Sequence, residues 1–172
     1  MGDLRTQASI GTYHGFNGSN TSFAGSEMRY GGKKWYVGAG AYLASNDLKD
    51  LYGLVDAKAK LAYDSKSVFE QNLRVRTAYD KDIKTTQIRY SPVTVNIPIT
   101  KDVTAYSNTH YSGKYNFDEK TWSHSIGNFT GVSCKVRKKE NIALEVQRYN
   151  LQDIKDNSSN NWSFNFIFTH NF

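Results

Sequence analysis

The last eleven residues, Trp162–Phe172, read WSFNFIFTHNF. Trp162, Phe164, Phe166, Phe168 and Phe172 fall on one phase of a period-two pattern, with His170 in the same phase. Ser163, Asn165, Ile167, Thr169 and Asn171 fall on the other. Successive side chains of an extended strand point to opposite faces, so this stretch is a strand with one aromatic and one mainly polar face. Its β-branched and aromatic residues favour the pleated conformation as well.

The same alternation recurs toward the N-terminus. Trp35, Val37, Ala39, Ala41 and Leu43 alternate with Tyr36, Gly38, Gly40 and Tyr42. Val55, Ala57, Ala59 and Leu61 alternate with Asp56, Lys58 and Lys60. Leu73 and Val75 oppose Arg74 and Arg76, and Ile142, Leu144 and Val146 oppose Ala143, Glu145 and Gln147. Such segments predict ten strands, near 4–16, 21–31, 34–44, 53–64, 68–80, 85–97, 102–115, 121–137, 141–151 and 161–172. The connections alternate between short ones (31–34, 64–67, 98–102, 137–141) and mostly longer, acidic or Asn-rich ones (17–20, 45–52, 80–85, 116–120, 152–160). Helical periodicity is weak; the one short window, Asp47–Leu54, is read as at most a single turn in a loop. The phase changes at Ser91-Pro92, where proline cannot donate to a ladder and a bulge or strand end is expected. Phe129 falls on the face opposite Trp122, Ile126, Val132 and Cys134, so eight or twelve strands stand as alternatives to ten.

Composition limits the classes. The chain has 172 residues, 38% of them hydrophobic, a mean hydropathy of −0.64 and a formal net charge of +6. This is one domain, 1–172, with no apolar run of the ~20 residues a membrane helix needs. A β-barrel crosses a membrane without such a run, because its strands alternate. One cysteine, Cys134, excludes an internal disulfide and is read as a small apolar wall residue. No charged segment followed by an apolar one precedes the first strand. The expectation is a chain without a signal peptide, with Met1 as a start codon placed on a mature sequence.

The terminal strand, with Phe164, Phe166, Phe168 and the final Phe172, resembles the last strand of bacterial outer-membrane β-barrel proteins. His170 stands where that pattern usually has an aromatic residue. The resemblance implies an all-β, antiparallel up-and-down transmembrane barrel in a bacterial outer membrane. It also implies that these phenylalanines are an assembly signal read by the outer-membrane assembly machinery. Aromatic residues on the apolar phase support it. Phe16, Tyr79, Tyr115, Trp122 and Trp162 sit near the long-loop end; Tyr30, Trp35, Tyr63, Phe69 and Phe172 sit near the short-turn end. Two interfacial girdles are expected there. Membrane lipid and the phosphates of lipopolysaccharide are the expected partners of Arg148 and the outer-rim lysines.

The polar phase then lines the lumen. Pairing the fourth and fifth strands across their short turn sets Asp56 near Arg76 and Lys58 near Arg74, with Glu70 in diagonal reach of Lys60. Arg89 adds a cation from the next strand, and Glu27 and Glu145 are expected as acidic partners from across the lumen. If these charges pair, the lumen is a salt-bridged plug. If Lys58, Lys60, Arg74, Arg76 and Arg89 stay wet, they form an anion-attracting constriction open to small ions or solutes.

Other chemistries find less support. His14, His110, His124 and His170 do not assemble a dyad, and only His110, near Asn108 and Tyr106, belongs to the lumen phase. No catalytic residue, cofactor or metal site is assigned. Asp153, Asp156 and Asn157 are better read as a solvated loop than as a calcium site. GGKKWYVGAG lacks the spacing of a phosphate-binding loop, and the cations are too dispersed for nucleic acid. The sequence is therefore read as a small porin-like pore. An adhesive barrel presenting loops 45–52, 80–85 and 152–160, a lipid-modifying rim enzyme and a soluble β-protein are the alternatives.

Overall fold

A computed structural model describes residues 2–15, 20–46, 50–63, 68–79, 84–152 and 158–172. Ten strands run β1 (Asp3–Gly15), β2 (Asn20–Gly31), β3 (Trp35–Asn46), β4 (Asp50–Ala62), β5 (Phe69–Tyr79), β6 (Lys84–Pro98), β7 (Val103–Asn116), β8 (Thr121–Arg137), β9 (Glu140–Gln152) and β10 (Ser158–Asn171). Each pairs antiparallel with its sequence neighbour, and β10 closes onto β1 with Gln7 opposite Asn171 and Gly15 opposite Ser163. Closure leaves no strand edge unpaired, which lipid requires of any sheet. A 12-residue strand such as β3, rising ~3.3 Å per residue and tilted by ~40°, covers about 30 Å along the axis, enough for a hydrocarbon core.

The polarity of the wall is inside out. Leu43 is 58% exposed, Val55 52% and Leu144 46%, while Asp56 is 0% and Glu27 2% exposed. Apolar side chains of a water-soluble barrel would point the other way. The described residues bury only a small apolar cluster, Tyr42, Ala44 and Leu54, with Phe23, Tyr52 and Ala78 packed against it. The exterior carries the two aromatic girdles. At the long-loop end Tyr115 packs on Trp122, with ring centroids 5.1 Å apart, and the Arg148 guanidinium lies 5.3 Å from the Trp162 ring centre. At the short-turn end Tyr30 meets Trp35 edge-on at 5.9 Å.

A ten-strand barrel is narrow, and glycine makes room in it. Inward-pointing Phe23 lies over its cross-strand partner Gly11, where a Cβ would come within 2.7 Å of the ring. His110 covers Gly127 in the same way, at 2.5 Å. Alternating large and small residues is how small barrels fill a tapering interior.

Two expectations change. Residues 45–52 are not a loop throughout: β3 continues to Asn46 and β4 begins at Asp50. The Asp47–Leu54 window therefore contributes no helical turn over Asp50–Leu54, where inter-strand pairing with Leu43–Asn46 prevails. Phe129 does lie on the face opposite Trp122, Ile126, Val132 and Cys134, but β8 runs through it unbroken and the count is ten; it is an inward-facing member of that strand, beside His110 with centroids 5.6 Å apart. The phase change at Ser91-Pro92 is a β-bulge, where the register slips between Tyr90 and Val93. Connection 64–67 and most of 17–20, 80–85 and 152–160, with Phe16, Asp153, Asp156 and Asn157, lie outside the described residues.

Candidate functional site

The lumen is built from two unlike walls. On β2 to β6 the described inward-facing residues include six cations, Arg29, Lys58, Lys60, Arg74, Arg76 and Arg89, and three carboxylates, Glu27, Asp56 and Glu70. The β4–β5 register puts Asp56 opposite Arg76 and Lys58 opposite Arg74. Asp56 accepts hydrogen bonds from both arginines: from Arg74 Nε at 3.0 Å and Nη2 at 2.6 Å, and from Arg76 Nε at 2.5 Å and Nη2 at 2.8 Å. Lys60 pairs with Glu70 at 2.7 Å. Glu27 is not across the lumen but on this same wall, because β3 alone separates β2 from β4; it receives both Arg29 and Lys58, and the Tyr42 hydroxyl donates to it at 2.9 Å.

The depth of these groups matters more than their count. The side chains of Asp56 and Glu27 have no exposed surface, whereas those of Arg74 and Arg76 are each 22% exposed and that of Arg29 is 31% exposed. The carboxylates lie against the wall and the cations lie over them. A charge at the water boundary dominates the potential felt there, because the buried partner is farther away and partly covered.

The facing wall, β7 to β10, is polar and carries few charges. Asn108 donates to Thr94 Oγ1 at 2.5 Å and accepts from Ser91 at 3.1 Å; His110 Nδ1 lies 3.2 Å from Asn108 Oδ1. Glu145 accepts from Asn165 at 3.2 Å, and Tyr106 also reaches it. Arg89 bridges the two walls electrostatically, facing both His110 and Glu145.

Between the walls runs a cavity of about 830 Å³. Arg29, Lys58, Arg74, Arg76, Arg89 and, from β7, Lys114 line it, while Asp56, Glu27 and Glu70 do not. Glu145 is the one described carboxylate on its lining. The structure thus brings Lys58, Lys60, Glu70, Arg74, Arg76, Arg89 and Asp56 to one wall and sets Glu145 across from them. Phe164, Phe166, Phe168 and Phe172 are elsewhere, on the outer face of β10 and at its end.

The sequence puts Arg29 on the polar phase but gives neither it, Phe23 nor Tyr42 a part in the constriction. Their inward phase is legible in β2 and β3. Their height against Asp56 is not, because it needs the β2–β3 register. The remaining histidines face outward: His14 contacts Asn20 at 2.8 Å, His124 stacks on Trp122 and bonds to Tyr111, and His170 lies 3.7 Å from Glu140. Among the described residues no group of three metal-ligating side chains converges.

Closed topology, apolar exterior and charged interior together define the class: a transmembrane β-barrel of the bacterial outer-membrane type. A solved structure shares this fold, and weaker alignments are found with others. The β domain of the Bordetella autotransporter BrkA aligns with a TM-score of 0.55 at 9% identity, over 99% of each chain. The KdgM porin, solved with disordered oligogalacturonate, aligns with a TM-score of 0.45 at 12% identity, over 100% of this chain and 99% of that one. OmpT, an outer membrane protein of Vibrio cholerae, gives 0.44 at 9% identity. That alignment covers 89% of this chain but 57% of OmpT, so the chain spans little more than half of that barrel. At 9% identity the BrkA alignment shows likeness of fold alone. No family model matches the chain, and no curated protein matches it in sequence.

Proposed function

We propose that the protein is a narrow, anion-preferring pore of the bacterial outer membrane. One observation carries this reading: six cations line the 830 Å³ cavity, while Asp56 and Glu27, the carboxylates paired with Arg29, Lys58, Arg74 and Arg76, sit behind, off the lining. A low-dielectric wall with one sign of charge at its water surface concentrates ions of the opposite sign. The pairing of Asp56 and Glu27 fixes the cations in place without hiding them, so the ion pairs are the scaffold of the constriction. The protein is read as non-enzymatic. In support, lumenal His110 packs against Asn108 and Phe129, and the other histidines face outward.

Two partners belong to the same reading. Arg148, whose guanidinium lies over the Trp162 ring at the outer girdle, is read as the contact for a lipopolysaccharide phosphate. The outward phenylalanines of β10, with Phe172 after it, are read as the segment offered to the assembly machinery.

The test is the reversal potential of the refolded protein in a planar bilayer under a potassium chloride gradient. The expected potential lies toward the chloride equilibrium value and moves toward zero in Arg74→Gln/Arg76→Gln. A wild-type potential toward the potassium value, or insertion without current, would overturn the reading.

A further inference from the structure

The lumen is not uniformly polar above its charged constriction. Following each strand inward from the long-loop end, apolar residues come first and charged ones after. On β4 the order is Tyr52, Leu54, Asp56, Lys58; on β5 it is Ala78, Arg76, Arg74; on β2 it is Phe23, Gly25, Glu27, Arg29. Tyr42 of β3 sits where the two zones meet, with the Lys58 ammonium 5.6 Å and the Arg76 guanidinium 5.8 Å from its ring centre. Phe23 stacks on Tyr13 at 5.2 Å and meets Tyr42 edge-on at 6.2 Å. Tyr13, Phe23, Tyr42, Tyr52, Leu54 and Ala78 all line the same cavity as Arg74 and Arg76.

This lane has little to offer a hydrated solute. The Tyr42 hydroxyl is donated to Glu27 at 2.9 Å and that of Tyr52 to Asn46 at 3.3 Å. Leu54 and Ala78 bring no polar side-chain atom. Thr21, Asn46 and Thr85 also line the cavity at this height, with the Thr21 hydroxyl already donated to Asn46 at 2.9 Å; a sugar's hydroxyls would lose more water there than these groups replace, which costs free energy. A flat apolar ring would gain by leaving water and by stacking on Phe23 and Tyr13. A carboxylate attached to that ring would then reach the guanidinium groups at the inner end of the lane, whose planar donors suit it.

The geometry points to a site for aromatic carboxylates in the outer half of the lumen, the ring held by the Tyr13–Phe23 stack and the anionic group by Arg76. This rests on the reading of the lumen as an anion-preferring pore and names the class of anion it selects.

The test uses benzoate and acetate, two monocarboxylates that differ in the ring, added on the long-loop side of single channels carrying chloride. Benzoate is expected to interrupt the chloride current at a concentration roughly tenfold below that needed with acetate. In Phe23→Ala the two concentrations are expected to converge. Phe23→Leu, which keeps the apolar volume and removes the ring, gives the same convergence and serves if the alanine variant does not fold. Equal interruption by benzoate and acetate in a channel that prefers chloride would overturn the site and leave the pore reading intact. A cation-selective channel would overturn the pore reading. Where no current is seen, saturation-transfer NMR on the detergent-refolded protein decides: ring-proton signals from benzoate, lost in Phe23→Ala, support the site, and their absence in the wild type refutes it.

Discussion

Replacing Asp56 by Asn removes the charge on which the basic wall is assembled. Asp56 is fully enclosed and takes four hydrogen bonds from Arg74 and Arg76, with Lys58 3.8 Å away. Asparagine keeps the volume but turns an NH2 donor toward guanidinium donors and leaves three cations without their central anion. Removing one partner of a buried ion pair costs about 3–5 kcal/mol. Here the cations keep partial access to lumenal water, 20–22% of their side-chain surface, which lowers the cost to about 2–4 kcal/mol. With a urea dependence of about 2 kcal/mol/M, the unfolding midpoint falls by roughly 1–2 M. Equilibrium urea titration in lipid vesicles, followed by tryptophan fluorescence, measures it. A loss below about 1 kcal/mol would mean that each cation is hydrated on its own and that the carboxylate scaffold does not exist.

Further predictions follow from packing and polarity. Gly25→Ala sets a Cβ 2.3 Å from the Ala41 carbonyl and 2.6 Å from the Tyr42 Cα, so it costs about 1–3 kcal/mol in the same titration. Gly32→Ala, with nothing within 4 Å, stays within about 0.5 kcal/mol. Leu144→Arg places a charge on the lipid face and costs about 2–4 kcal/mol at mid-membrane; in a water-soluble barrel that exposed position would tolerate the change to within about 0.5 kcal/mol. Lys120 closes the Phe117–Lys120 turn at φ 54°, in the left-handed region, so Lys120→Gly is expected to raise stability by up to about 1 kcal/mol.

Period-two patterning carried much of the fold because a barrel has a single wall and each residue must choose one of two phases. That choice is local. The β4–β5 pairing could also be read, since a short turn fixes register and Asp56, Arg76, Lys58 and Arg74 alternate with apolar neighbours. The bulge at Ser91-Pro92 announced itself through proline and the change of phase. The contact of Glu27 with Lys58 did not, because it crosses from β2 to β4 and depends on two registers in succession. Depth was equally hidden: nothing in the order of residues says that Asp56 lies beneath Arg74 and Arg76 and not beside them. The lane of Phe23, Tyr42 and Leu54 was missed for a related reason. Inward aromatic residues look like any others until neighbouring strands set them at one height. The strands β3 and β4 reach beyond the segments legible in the sequence, to Asn46 and from Asp50, because inter-strand pairing outweighs the acidic, Asn-containing loop signal of 45–52 there.

The inside-out wall is the claim on which the pore, the constriction and the aromatic lane all depend. Spin labels placed singly at residues 142 to 147 of β9, in a Cys134→Ser background refolded into lipid bilayers, test it directly. Collisions with oxygen, which concentrates in lipid, are expected to peak at 142, 144 and 146. Collisions with a water-soluble nickel chelate are expected to peak at 143, 145 and 147. The opposite phase, or no alternation, would contradict the account.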